Sequence, residues 1–334
     1  MKRWGMAVLA LALFFFGGAG WFWHQYRQAL DRPLDLDAPV TFEIKRGESL
    51  TTVARRLQRR GILPQPRWLL LWALEQGVSA DIRAGEYRLR PGMTPKTLLT
   101  LFLSGKVAQH RITLVEGWTV KQVLAALAAE PALKHTLEDV PLADLLSVLQ
   151  LPPGHPEGRF FPDTYFFVRG ASDREILRRA YRRMEQVLEE EWRDRAADLP
   201  LKTPYQALIL ASIVEKETGR REEQAKIAGV FIRRLRKGMK LQSDPTVIYG
   251  MGDAFDGDIR RRDLRADTPY NTYVHPGLPP TPIALPGRSA IHAVLHPADG
   301  DALYFVSRGD GSHQFSATLK EHNRAVARYQ LGKR

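Results

Sequence analysis

The sequence predicts an α+β protein: an N-terminal transmembrane helix, then strand–glycine–helix units, then a mixed α+β domain. Three observations predict it. A charge-free run, Gly5 to Trp23, opens the chain. A strand–Gly–cap–helix pattern recurs three times between Thr41 and Leu127. Beyond it, apolar and amphipathic helical stretches mix with short strands and loops rich in Pro and Gly, with no repeat.

The bulk numbers narrow the classes. A chain of 334 residues has room for two cores, and 44% hydrophobic with 26% charged residues excludes a disordered or fibrous chain. The formal net charge of +12 fits nucleic acid, an anionic membrane face or an anionic polymer, and charge alone does not choose. No helix-turn-helix, zinc or RNP signature accompanies the basic stretches, so nucleic acid is not expected as a partner. The chain has 0 cysteines, which excludes disulfides, a thiol nucleophile and thiolate metal sites.

The opening run, GMAVLALALFFFGGAGWFW, is about 28 Å long as a helix, close to the hydrocarbon thickness of a bilayer. Lys2 and Arg3 precede it and Trp21, Trp23 and Tyr26 close it, the placement of interfacial aromatic anchors. Residues 1–30 are therefore expected to be a cytoplasmic tip and single-pass anchor in the cytoplasmic membrane, with everything after them outside the cytoplasm. The alternative is a cleaved leader processed near Gly17–Gly20, but the apolar run continues through aromatics past those small residues. Residues 31–40, DRPLDLDAPV, are polar and unperiodic and read as a linker.

Each of the three repeats begins with an alternating run and turns at a glycine: Gly47, Gly92 or Gly117. Two residues later stands Ser49, Thr94 or Thr119, a hydroxyl able to accept an orphan backbone N–H at a helix start. Apolar residues at helical spacing follow, Leu50, Val53 and Leu57 in the first and Val120, Val123, Leu124 and Leu127 in the third. The first unit, with G-E-S-L-T-T-V-A at 47–54, resembles the LysM module that binds chains containing N-acetylglucosamine; the bland alternative is any capped βα unit. The units are expected to occupy residues 41–150, helical from Glu130 onward and broken by the prolines of Leu151–Pro156, with a second domain over 151–334. That domain opens with EGRFFPDTYFF at 157–167, followed by a charged helix over Ser172–Arg195 with a stripe of Ile176, Leu177, Tyr181, Met184 and Val187.

The segment Thr203–Gly219, TPYQALILASIVEKETG, carries a full helix signature: Thr203 as cap, Pro204 in the first turn, and Gly219 as a left-handed terminator. Its middle, 207–214, is apolar or small on every side, so the helix is expected inside a core. Two carboxylates end it, Glu215 and Glu217. At about 100° per residue they point about 200° apart, so they cannot share one cleft. Glu217 shares a stripe with Leu210 and Ile213, Glu215 with Leu208 and Ala211. Desolvation and the negative end of the helix both favour the protonated carboxyl, the form a general acid needs. On these grounds either residue could serve, or both could be surface charges.

A basic amphipathic helix is expected over Ile227–Leu241. After it come loops dense in polar and aromatic groups: Gln242, Ser243, Asp244 and Tyr249, then Asn271 and Tyr273, then Gly277–Ile283. Amides and hydroxyls of this kind bond sugar hydroxyls, and rings stack on pyranose faces. A strand at Ala302–Val306, a turn through Gly309 and Gly311, His313 at the next strand and a helix to Tyr329 complete the chain. His292 and His296 have i, i+4 spacing but lack the glutamate of HExxH, and Asp253, Asp256 and Asp258 lack the rest of a calcium loop, so no metal is expected.

The order of motifs LVEGWT, EGRFFPDTY, ASIVEKET, LQSDPTVIYG, YNTY, GLPP and YFVS, ending in His322-Asn323, resembles the MltG (YceG-like) endolytic murein transglycosylases over nearly the whole chain. The resemblance implies a LysM-like subdomain followed by an α+β catalytic domain. It implies that Glu217, second glutamate of the E-K-E triplet, is the catalytic acid/base, and that no cofactor or metal is used. The substrate implied is peptidoglycan glycan strands, with cleavage between N-acetylmuramic acid and N-acetylglucosamine and closure of a 1,6-anhydro ring. Termination of nascent strands, with a peptidoglycan synthase as partner, is the corresponding cellular expectation. Glu215, Gln242, Ser243, Asp244, Tyr249, Asn271, Tyr273, Glu157 and His313 are the expected supporting or substrate-binding residues. A hydrolytic muramidase using Asp244, or a non-enzymatic wall-binding anchor, are the competing readings.

Overall fold

The structure, a computed structural model, describes the backbone of residues 2–332 and the side chains of residues 16–332. It is mixed α+β, and its chain divides into two compact units. The first comprises residues 1–110 with 167–169, and the second residues 111–166 with 170–334. The third strand–glycine–helix repeat is thus grouped with the second unit, forty residues before the proline-rich stretch where the sequence places its boundary.

The first unit begins with α1 (Lys2–Asp31). Among the described residues no helix is long and apolar enough to cross a membrane. The transmembrane expectation rests on Gly5–Trp23, of which residues 5–15 lie outside those with described side chains. Next come β1 (Val40–Ile44), α2 (Leu50–Arg59), α3 (Pro66–Glu75), β2 (Gly85–Leu89) and α4 (Pro95–Ser104). β1 and β2 pair antiparallel, with Phe42 opposite Tyr87, and these rings pack with Phe102, Leu50, Val53, Leu57 and Leu69 in a fully buried core. Near its C-terminal end α1 packs on α3 through Tyr26 and Trp68, and the Tyr26 hydroxyl donates to Glu75 at 2.7 Å.

The local signals of the repeats act as their chemistry dictates. Gly47, Gly92 and Gly117 have φ of 82°, 82° and 78°, the left-handed region that glycine enters without a Cβ clash. Ser49, Thr94 and Thr119 then each accept a backbone N–H three residues on.

The second unit contains β3 (His110–Thr113) from Arg111 onward, α5 (Val120–Ala128), α6 (Leu145–Val148) and β4 (Thr164–Phe167) to Phe166. The expected helix after Glu130 is absent apart from a 3-10 turn and α6. Instead Asp173 draws the chain into a loop, its carboxylate accepting from Thr136 N at 2.7 Å and Leu137 N at 3.1 Å. Pro131 and Pro141, which cannot donate in a helix, favour the same outcome.

Then follow α7 (Asp173–Arg193), α8 (Pro204–Glu217), α9 (Arg221–Arg236), α10 (Asp244–Met251), α11 (Arg288–Leu295), the hairpin β5 (Tyr304–Ser307) and β6 (His313–Ser316), and α12 (Leu319–Tyr329). α8 is the axis of this unit: every residue from Ala207 to Val214 is buried, against Met184 and Val187 of α7, Ile227 and Phe231 of α9, and Ile291 and Val294 of α11.

Three expectations are corrected here. α9 starts at Arg221 and stops at Arg236, because Gly238 adopts φ 66° and turns the chain before Leu241. The stretch DPTVIYGM forms helix α10 rather than a loop, Pro245 supplying a preset φ in its first turn. Finally, α8 ends without a left-handed Gly219: Thr218 is extended at φ −147°, as a β-branched residue prefers, and its hydroxyl accepts from Arg220 N at 3.1 Å.

Candidate active site

α8 delivers Glu217 from its last residue into a cleft of about 750 Å³, lined also by Arg234, Gln242, Asp244, Tyr273, Tyr304, His313, His322 and Asn323. Burial pushes its carboxyl up to about 7; the Ser243 hydroxyl and the Arg234 charge work against that rise and the Asp244 charge adds to it. Ser243 is 1% exposed and its hydroxyl donates to Glu217 Oε1 at 2.5 Å. One carboxyl oxygen is thereby held, and burial keeps the carboxyl well above the usual carboxylate range.

The placement of Ser243 is decided far along the chain. Gln242 has φ 51°, a left-handed backbone uncommon for a side chain of its size. Its N–H donates to Thr272 O at 3.1 Å, while Ser243 N donates to Thr272 Oγ1 at 3.0 Å. Thr272 is fixed in turn by its neighbour Asn271, fully buried, whose amide donates to Asp263 O at 3.1 Å and Ala266 O at 2.8 Å and whose Oδ1 accepts from Tyr273 N at 2.9 Å. A left-handed residue of this size persists where its surroundings over-determine it, as the two Thr272 contacts do here. Tyr273 itself donates its hydroxyl to Asp244 Oδ1 at 2.6 Å. Burial and the Asp244 carboxylate hold the Tyr273 hydroxyl in its neutral form.

The structure therefore brings Glu217, Gln242, Ser243, Asp244, Tyr273 and His313 together, and separates the other expected residues from them. Glu215, on the opposite face of α8, accepts from Gly287 N at 3.0 Å, and burial raises its pKa. Glu157 is 2% exposed and sits behind α5 and α10: it accepts from Val120 N at 3.0 Å and from the Tyr249 hydroxyl at 3.1 Å. Burial raises it to about 7, but neither it nor Tyr249 lines the cleft. Asn271 supports the cleft from beneath. His313 lines one wall, its Nδ1 within 2.7 Å of Glu223 Oε2.

Sequence reasoning missed Arg234, and took His322 only as part of a motif rather than as a site residue. Arg234 is 6% exposed; its guanidinium donates to Leu303 O at 2.6 Å and Leu241 O at 2.6 Å and lies over the Tyr304 ring at 5.1 Å. His322 stacks on Tyr304 at 5.2 Å, and its Nδ1 is buried without a protein partner. Burial, with the Arg234 charge, lowers the His322 pKa. The signal for Arg234 was present: it stands on the apolar stripe of α9, where a solvated arginine would not. Among the described residues, no group of three His, Asp or Glu in the cleft has the spacing to hold a metal ion.

A mixed α+β unit whose buried helix ends in a carboxyl with a raised pKa, facing a polar cleft, has the arrangement of a general acid/base enzyme. The chain belongs to the YceG-like family, whose profile matches residues 42–328. It is 31% identical over 323 residues to an endolytic murein transglycosylase of Bacillus subtilis (strain 168), covering 91% of this chain and 89% of that protein. An endolytic murein transglycosylase of Streptococcus pneumoniae serotype 2 (strain D39) is 27% identical over 353 residues, covering 93% of this chain and 62% of that longer protein. The crystal structure of a YceG-like protein from Listeria monocytogenes superposes with a TM-score of 0.56 at 29% identity, covering 86% of this chain and 99% of that one.

Proposed function

We propose that this protein is an endolytic peptidoglycan lytic transglycosylase. The observation that carries the reading is the placement of Glu217, at the end of the buried helix α8, facing the cleft with one oxygen held by Ser243. Burial there raises its pKa to about 7, which suits a group that both gives and takes a proton. Glu217 protonates the oxygen joining C1 of N-acetylmuramic acid to N-acetylglucosamine, and the C1–O bond breaks. The resulting carboxylate takes the proton of the muramyl 6-hydroxyl, whose oxygen bonds to C1. No water is consumed and no second carboxylate is obligatory, unlike the paired-carboxylate hydrolases. Asp244, tied to Tyr273, places a negative charge where the oxocarbenium-like state develops.

Because Asp244 shares the cleft with Glu217, hydrolysis through an Asp244-activated water is the second reading. Mass spectrometry of glycan strands digested by the chain separates the two. Products ending in 1,6-anhydromuramic acid, one water lighter than reducing ends, are expected; reducing ends throughout would reject transglycosylation.

The same proposal places the protein in the cytoplasmic membrane by one N-terminal span, with both compact units outside the cytoplasm and a peptidoglycan synthase as partner. The charge-free run of Gly5–Trp23, the basic residues before it and the aromatics after it support this reading. In intact spheroplasts a C-terminal tag should be removed by external protease; a tag cut only after lysis would refute the topology. The first unit is proposed to hold glycan in LysM fashion, on the support of its β1–α2–α3–β2 order and a groove of about 670 Å³ bordered by Gly47, Ser49, Thr51 and Ser79.

A further inference from the structure

α7 and α11 are in contact, and neither contributes a residue to the cleft lining. Three side chains with metal-ligating atoms meet there. Glu191 comes from the last turns of α7, His292 from α11 and His296 from the residue that caps α11. Their donor atoms all lie within 4.8 Å of one another. Glu191 Oε2 is 2.8 Å from His292 Nδ1, and the two imidazoles stack at 4.3 Å. His296 Nε2 is buried and has no hydrogen-bond partner, an orphan polar atom of the kind an ion would satisfy.

From these contacts we infer that Glu191, His292 and His296 form a site for a zinc-class divalent cation. Two histidines and one carboxylate are a recurrent zinc set, which leaves one coordination position for water. The Glu191 oxygens are already divided: Oε1 accepts from the Arg288 guanidinium at 2.8 Å, leaving Oε2 to the histidine side. That second contact fixes the carboxylate in place, as outer partners of metal ligands do. The chain just after α7 is also tied to the end of α11 by Ala196 N donating to Leu295 O at 2.9 Å.

Bonds of about 2.0–2.2 Å in tetrahedral geometry put ligand atoms roughly 3.3 Å apart. To reach that spacing the 2.8 Å Glu191–His292 contact widens slightly and the longer separations close, by rotation of the imidazoles out of their stack. His292 is 57% exposed in its side chain, which gives the ion its route in. An i, i+4 histidine pair alone does not make a site; the third ligand comes from a helix about a hundred residues earlier in the chain. An ion there would clamp α7 to α11, both of which pack on the helix that carries Glu217.

The test uses the full chain, stripped of metal by a chelator. It is titrated with Zn²⁺ by calorimetry and with Co²⁺ by visible absorption. One Zn²⁺ per chain is expected, together with Co²⁺ d–d bands of a low-symmetry nitrogen/oxygen site and no response to Mg²⁺. His292→Ala and Glu191→Gln should each weaken Zn²⁺ at least about tenfold, and Glu217→Gln should bind as wild type. His292 is mostly exposed, so its alanine variant keeps the fold, which its far-UV circular dichroism checks. Zn²⁺ should raise the melting temperature of wild type and not that of His292→Ala. Absence of saturable Zn²⁺ binding in wild type, or binding that His292→Ala leaves intact, overturns the site.

Discussion

Glu217→Gln is expected to lower glycan cleavage by at least about 10²-fold, the lower end of what a positioned general acid/base contributes. The amide has the shape of the protonated carboxyl and its oxygen still accepts from Ser243, so the cleft stays assembled. What it loses is the proton to give and the site to take one back. The wild-type pH profile should share this origin: with Glu217 at about 7, activity falls as pH rises through that value and the acid form disappears. Stability supplies an independent readout. A carboxyl whose folded pKa lies above its ordinary 4.5 stabilises the fold fully below that value, and the contribution is lost as pH rises through about 7. Glu217→Gln has no such loss, so its melting temperature should rise relative to wild type between pH 5 and pH 8. Undiminished cleavage by the variant would move the acid role away from Glu217, and a melting temperature that tracks wild type across that range would show that its carboxyl is not desolvated.

Arg234→Met is expected to destabilise the second unit by about 3 kcal/mol, since two carbonyls bonded by a charged donor, Leu241 O and Leu303 O, lose it in a buried setting. For a domain of this size that corresponds to a melting temperature lower by roughly 6–12 °C. Activity should fall as well, because Leu241 immediately precedes Gln242 and Ser243, and a freed carbonyl there loosens the turn that presents the serine to Glu217. Removing the cation also lets the Glu217 pKa climb further, so the alkaline limb of the surviving activity should shift to higher pH. Arg234→Lys keeps the charge but cannot serve both carbonyls from one planar fork, and should fall between the two. If Arg234→Met melts and cleaves as wild type, the arginine does not hold the Ser243 turn.

Much of this was legible in the chain because it is local. The left-handed glycines with caps two residues later, the proline-started apolar helix of α8 and the opposed directions of Glu215 and Glu217 all follow from helix geometry and the chemistry of a few neighbouring side chains. Those rules act over three or four residues, which the sequence displays directly. They therefore determined the α+β character, the three capped units and the opposed faces on which Glu215 and Glu217 stand.

Tertiary structure alone decided which groups surround that acid. Glu157 and Glu217 look alike in sequence, each a glutamate in an aromatic or apolar stretch, and burial raises both to about 7. One is sealed beneath α5 and α10 by Val120 and Tyr249, the other opens to the cleft. Likewise Asn271 reads as a sugar-binding amide, yet it is fully buried and braces the Gln242–Ser243 turn by way of Thr272. The partners of Glu217 and Glu157 lie 26 to 92 residues from them in the chain. Residue type specifies what a side chain can donate or accept; only the packing of α5, α8 and α10 specifies which carboxyl meets a serine and opens to the cleft, and which meets a backbone amide.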